Sequence, residues 1–211
     1  MYVPSHFVIS DVTAVHAFLR THVFAVIAGE IDGTIALGYA PVVLDAEHGS
    51  LGSLRFHLAR ANPLANIQDG AALKISVMGP HAYVSPDWYE TEAMVPTWNY
   101  VAAEGAGHVR RLDDSGLKRL LSDLAAQEEV ALVPKAPWKM GRVPPDRLDA
   151  LFTAIIGFEL VFESLEGKAK LSQNRAPADI DGAIKGLEQR GDAASVAVAA
   201  AMRKSREGMG E

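Results

Sequence analysis

The 211-residue chain has no cysteine, which excludes disulfides, thiolate nucleophiles and thiolate metal sites together. No window reaches the roughly 18 apolar residues that a membrane-spanning helix needs. The first residues, Met-Tyr-Val-Pro-Ser-His-Phe, lack a basic segment running into an apolar one, so a cytoplasmic location is expected. Basic charge is also scarce. Against 26 Asp and Glu stand 20 Lys and Arg, a net charge of -6, and that overall field opposes a phosphate backbone. Missing as well are the spaced glycines of a dinucleotide fingerprint and the phosphate loop with its lysine and serine. The histidines, at positions 6, 16, 22, 48, 57, 81 and 108, show no paired ligand spacing on one helix face, so no metal is expected. No serine sits in a glycine-flanked elbow and no carboxylate pair stands out, which leaves the catalytic residues unassigned.

What is present is ordinary for a globular protein: 49% hydrophobic and 22% charged residues, in a length that supports one substantial core with appended helices. Val12, Val15, Phe18 and Leu19 recur on one face of a first helix that Ser10 or Asp11 can cap. An apolar run over 23–28, a turn at Asp32-Gly33 and a second run over 34–44 read as a hairpin. Leu54, Phe56 and Leu58 alternate on a third strand. Asn62-Pro63 opens a helix of about two turns that Gly70 ends, and residues 71–78 form a further strand. Residues 98–112 read as one long strand bent at Gly105 and Gly107. Leu117, Leu120, Leu121 and Leu124 mark a helix capped by Asp114 or Ser115, and a proline-broken loop leads to a short helix over 146–155. Phe158, Leu160 and Phe162 then alternate with Glu159, Val161 and Glu163 on a last strand. From Pro177 onward the chain reads as helical. Six or so strands without regular crossover helices favour a small antiparallel barrel over a doubly wound sheet.

Residues 78–100 hold two of the three tryptophans, three of the five tyrosines and three prolines. Gly79-Pro80, Ser85-Pro86 and Val95-Pro96 fix the backbone, so a rigid aromatic connection between two strands is expected. Core packing under a long loop is one account of it. His81, Ser85, Asp87, Thr97 and Asn99 among the rings support another, a pocket for a planar polar ligand. Two further clusters stay open in the same way. Arg55-Phe56-His57-Leu58-Ala59-Arg60-Ala61-Asn62-Pro63 reads either as a phosphate seat at a helix start or as solvated arginines beside a capping asparagine. Gly167-Lys168-Ala169-Lys170-Leu171-Ser172-Gln173-Asn174-Arg175 reads either as a seat for an anion or a heterocycle edge or as a solvated loop.

Taken together, His57 to Pro63, Gly79-Pro80-His81-Ala82-Tyr83-Val84-Ser85-Pro86, Val95-Pro96-Thr97-Trp98-Asn99-Tyr100 and Lys170 to Arg175 resemble the PaiB-type family, described as FMN-binding negative transcriptional regulators. The likeness runs from Met1-Tyr2-Val3-Pro4 to the helix after Arg175. It implies a mainly β, α+β fold: an antiparallel split β-barrel of the FMN-binding type, related to pyridoxamine phosphate oxidase. The expected division is a barrel domain over 1–176 and a C-terminal helical extension over 177–211 packed on it. The resemblance further implies a homodimer with FMN at the interface. It places His57, Arg60 and Asn62 at the phosphate, and Ser85, Trp98 and Asn99 at the ring. Lys170, Ser172, Gln173 and Arg175 close the site, from the same chain or its partner. One segment departs from the family pattern: Val101-Ala102-Ala103-Glu104-Gly105-Ala106-Gly107 stands where Val-Ala-Val-His-Val is expected.

Three functions follow as alternatives: a regulator or flavin-based sensor, an FMN-dependent oxidoreductase in which the protein positions the cofactor, and a dimeric scaffold without flavin. His81 is the nearest thing to a catalytic acid or base. Direct DNA binding needs a basic reading element. From Lys170 onward seven basic residues face six acidic ones, Glu211 included, which is a thin basis for one.

Overall fold

The computed structural model describes residues 1–207. Glu211 and the end of the expected extension lie outside the described residues. The elements are β1 (Val8–Ile9), α1 (Val12–Thr21), β2 (Phe24–Ile31), β3 (Thr34–Asp45), β4 (Ser53–Ala59), β5 (Ala72–Val84), β6 (Thr97–Arg111), α2 (Asp114–Glu129), α3 (Pro145–Thr153), β7 (Ile155–Lys170), α4 (Pro177–Arg190) and α5 (Ala193–Glu207). The strand order is β1-β7-β4-β3-β2-β5-β6, and β6 pairs again with β7. That return pairing closes six strands on themselves and removes the open edges of a sheet. The fold is the antiparallel split barrel with helices. Among the described residues no helix is long and apolar enough to cross a membrane.

Contacts divide the chain into two units. The larger comprises Leu19–Val77 and Glu104–Leu165. Its hairpin turns at Asp32 and Gly33, whose φ angles of 51° and 76° match the twist of paired strands. β4 turns Leu54, Phe56 and Leu58 inward, and the Phe56 and Phe158 rings stack at 5.5 Å. α2 lays Leu117, Leu120 and Leu124 against Val43. The glycines of the departing segment have a steric reason. A Cβ on Gly105 would stand 2.1 Å from the Phe162 ring, and one on Gly107 would stand 2.0 Å from the Val161 carbonyl oxygen.

The smaller unit comprises Met1–Phe18, Met78–Ala103 and the chain from Glu166 onward. β1 pairs with the end of β7 through Val8↔Lys168 and Ile9↔Gly167. α4 and α5 bury Ile180, Ile184, Leu187, Val198 and Met202 together with Val84 and Val101 of the strands. Asp179, near the start of α4, accepts hydrogen bonds from the Glu90 and Thr91 amides, both at 2.9 Å, and from the Thr91 hydroxyl at 2.8 Å. The loop that follows β5 is thereby tied to the helical pair.

Three local expectations are corrected. β5 does not stop at Met78 but runs through Gly79-Pro80 to Val84. Its buried positions shift from 73, 75, 77 and 79 to 82 and 84. Pro80 interrupts one donor without ending the strand. The cap of α2 is Asp113, whose carboxylate accepts from the Gly116 amide at 2.6 Å. The two-turn helix after Asn62 is a four-residue 3-10 segment, Pro63–Asn66.

Candidate flavin site

In the smaller unit, β5 and β6 carry the aromatic residues of the candidate site. Trp98 near the start of β6 is 53% exposed. Its ring centroid lies 6.2 Å from His81 at an interplanar angle of 30°, and 6.3 Å from Tyr83 at 77°. An exposed indole flanked by two rings offers a flat apolar surface with polar rims. Lys170, the last residue of β7, donates from Nζ to the Trp98 carbonyl at 2.9 Å and to the Thr97 hydroxyl. An ammonium has three donors, so one remains for a ligand. Burial holds the Lys170 ammonium below its ordinary value, and the charges of Lys168 and Arg175 add to this.

The other residues nominated in this unit are held within the chain. Asn99, 1% exposed, donates to the Ser172 hydroxyl at 2.9 Å and to the Met202 sulfur at 3.4 Å. Ser172 adopts a left-handed φ of 66°, which turns the chain sharply after β7. Gln173 bridges that turn: its Oε1 accepts from the Leu171 amide at 2.7 Å and its Nε2 donates to the Ala169 carbonyl at 2.6 Å. Arg175 stands 5.7 Å over the Tyr89 ring, with Nη1 3.7 Å from the Met94 sulfur. Ser85 accepts from the Asp87 amide at 3.3 Å and starts the turn that leaves β5. Lys168, part of the basic cluster but given no role at the flavin, sits 5.1 Å from the Tyr100 ring and donates to the Tyr2 carbonyl at 3.0 Å. Its alternation with Lys170 along β7 was the available signal.

In the larger unit the three residues nominated for the phosphate serve different local ends. His57 of β4 keeps a buried Nδ1 without a hydrogen-bond partner, and burial lowers its pKa. Its imidazole is therefore disposed to stay neutral. Arg60 donates from Nε to the Thr153 carbonyl at 2.9 Å and from Nη2 to the Ile155 carbonyl at 3.3 Å, which clamps the junction of α3 and β7. Asn62 accepts from the Leu64 amide at 2.9 Å and caps the short 3-10 segment.

A family model described as "Putative FMN-binding domain" matches residues 1–164. The chain belongs to this FMN-binding domain family. Its cofactor is FMN, and the exposed indole, its neighbouring rings and the spare donor of Lys170 suit the flat, hydrogen-bonding heterocycle of a flavin. Lys170, Ser172, Gln173 and Arg175 follow the matched segment. An uncharacterized protein, AN0679 of Emericella nidulans, is 33% identical, with 82% of this chain and 83% of that one covered. The protease synthase and sporulation protein PAI 2 of Bacillus subtilis is 26% identical over 89% of each chain. In fold, the chain is similar to the FAD and heme binding protein of Mycobacterium smegmatis, with a TM-score of 0.53, 16% identity, and 80% of this chain and 76% of that one covered.

Proposed function

We propose that this chain is a flavin-based sensor or negative transcriptional regulator of the PaiB type, working as a homodimer with FMN at the interface. The observation that carries the flavin seat is the exposed Trp98 ring beside Lys170. Trp98, with His81 and Tyr83, receives the isoalloxazine face, and Lys170 supplies a donor to its polar edge. Ser85 is assigned to the ring and Arg175 to the closing segment. Asn99, Ser172 and Gln173 hold the turn that presents Lys170. His57, Arg60 and Asn62 remain a separate assignment to the phosphate. FMN when bound supplies electron-accepting chemistry, while the protein binds and orients it.

The dimer has its own support. On the outer face of β2 and β3, Phe24, Val26, Ile35, Leu37 and Tyr39 are all exposed. The register sets Val26 opposite Tyr39 and Ala28 opposite Leu37, so these side chains form one apolar patch. Monomers seldom leave such a surface in water, and a twofold partner presenting the same patch covers it. Regulation through this assembly agrees better with the helical pair than direct DNA reading does. Arg203 is paired with Glu188, Arg206 with Asp181 and Arg190 with Asp192, which leaves little free positive charge for phosphates.

FMN titration of wild type and Trp98→Ala tests the seat. Loss of one stacked ring is expected to weaken binding by about 1–3 kcal/mol, and unchanged affinity removes the assignment. Sedimentation of Leu37→Lys tests the dimer; a variant that remains dimeric at micromolar concentration refutes this interface. Anaerobic bleaching of the bound flavin by NAD(P)H distinguishes the oxidoreductase reading from the regulator.

A further inference from the structure

We propose that the larger unit carries a second ligand site, between α2 and α3, for a free α-amino acid with an apolar side chain. The cleft has a volume of about 220 Å³ and is lined by Arg60, Asp114, Lys118, Asp149 and Phe152 among others. Elsewhere in this unit opposite charges meet directly, Arg55 with Asp123 at 2.9 Å and Arg110 with Glu159 at 2.5 Å. Inside the cleft they do not. The side chains of Asp114, Lys118 and Asp149 have no ion-pair or hydrogen-bond partner among the described residues. Lys118 stands instead 5.4 Å over the Phe152 ring. Arg60 has its Nε and Nη2 turned to backbone carbonyls.

Charges of both signs gathered into one concavity, and kept off one another, leave a gap that a dipolar molecule bridges. A simple anion would confront two carboxylates, and a simple cation would confront Lys118 and Arg60. The lining therefore selects against each. A zwitterion satisfies both, with its carboxylate toward Lys118 and its ammonium toward Asp114 and Asp149. Phe152 also lines a neighbouring cleft of about 250 Å³, whose other walls include Leu121, Trp138, Leu148, Leu151 and Ile155. That cleft suits an aliphatic side chain such as that of leucine or methionine. The ligand class follows from the pair: a dipolar head next to an apolar body.

Isothermal titration of the whole protein tests this. L-Leucine is expected to bind saturably, while N-acetyl-leucine, which lacks the ammonium, and leucinamide, which lacks the carboxylate, bind about tenfold more weakly or worse. Asp149→Asn and Lys118→Gln should each cost about tenfold, the effect of deleting one charged hydrogen bond. Trp138→Ala should weaken leucine and leave alanine unaffected. Both charge substitutions are exposed and should unfold at the wild-type temperature, so lost binding is not lost folding. Absence of saturable heat at millimolar leucine overturns the proposal, as does equal binding by N-acetyl-leucine or by Asp149→Asn. Flavin binding is read separately by its visible absorbance; because Arg60 lines this cleft, FMN that displaces leucine would give the cleft to the flavin phosphate and overturn the proposal.

Discussion

Arg60 in the larger unit and Lys170 in the smaller one are both cations that sequence motifs mark for gripping an anion, yet their surroundings use them differently. Arg60 places two of its donors on the carbonyls of Thr153 and Ile155, while Lys170 engages Thr97 and Trp98 and keeps a third donor beside an exposed indole. The rigid fork of a guanidinium matches paired carbonyls, whereas an ammonium on a flexible stem turns to whatever lies near. A basic residue at a strand end therefore reads the same in sequence whether it will pin backbone or meet a ligand. The larger unit extends this inward use of polar groups. Glu159, 4% exposed, accepts from Arg110 at 2.5 Å and from Ser53 at 3.0 Å, with His48 Nδ1 at 2.7 Å.

Glu159 offers the strongest way to break the comparison. Burial pushes its carboxyl upward, but the hydrogen bonds of Arg110, His48 and Ser53 outweigh burial and hold it below the usual glutamate range. Because the folded value is depressed, its contribution is present above the unfolded value and is lost as pH falls below that value through the folded one. Glu159→Ala should cost about 3 kcal/mol in urea unfolding near neutral pH, since it leaves Ser53 buried without its acceptor and strips Arg110 of its partner. Part of that cost should disappear below the ordinary glutamate range, where wild type loses the same interaction. A cost below about 0.5 kcal/mol would show that the network is incidental.

Arg60→Ala comes next, at about 2 kcal/mol from two lost charge-assisted hydrogen bonds. Arg60→Lys should restore little, because one ammonium cannot span both carbonyls in the fork's geometry. FMN titration of the folded variants separates the clamp from the phosphate assignment. Normal stability with lost FMN affinity would place Arg60 on the ligand and reverse the contrast with Lys170.

The barrel strands were legible because their apolar residues recur at every second position, as at Leu54, Phe56 and Leu58. The hairpin at Asp32-Gly33 was legible from turn chemistry alone. What escaped reading depended on distant partners. Pro80 suggests a strand end, but β5 absorbs it by shifting which residues face inward. Glu159 alternates like a surface residue and is nevertheless buried, because Arg110 and Ser53, far away in sequence, meet it there. Gly105 and Gly107 look like losses from a family pattern until the Phe162 ring and the Val161 carbonyl are seen against them. At the candidate site, Trp98 and Lys170 were legible as types. The inward roles of Asn99, Ser172 and Gln173 were not, since a polar side chain carries no mark of whether its partner will be a ligand or its own backbone.

The smallest effect on stability, and the sharpest on the comparison, belongs to Lys170. Lys170→Met keeps the length of the side chain and gives up two hydrogen bonds, but it also relieves the ammonium of its desolvation. Stability should therefore fall by about 1 kcal/mol, less than at Arg60. The folded value of the ammonium lies below the free value of 10.5, so within the folded protein its charge is lost at a lower pH than in the unfolded chain. If that charge holds the flavin's polar edge, FMN affinity in wild type should fall as pH rises toward the free-lysine value, a slope that Lys170→Met abolishes. Titrations at several alkaline pH values, below the onset of unfolding, read the slope directly. Parallel slopes in the two proteins would mean that Lys170, like Arg60, serves only its own backbone.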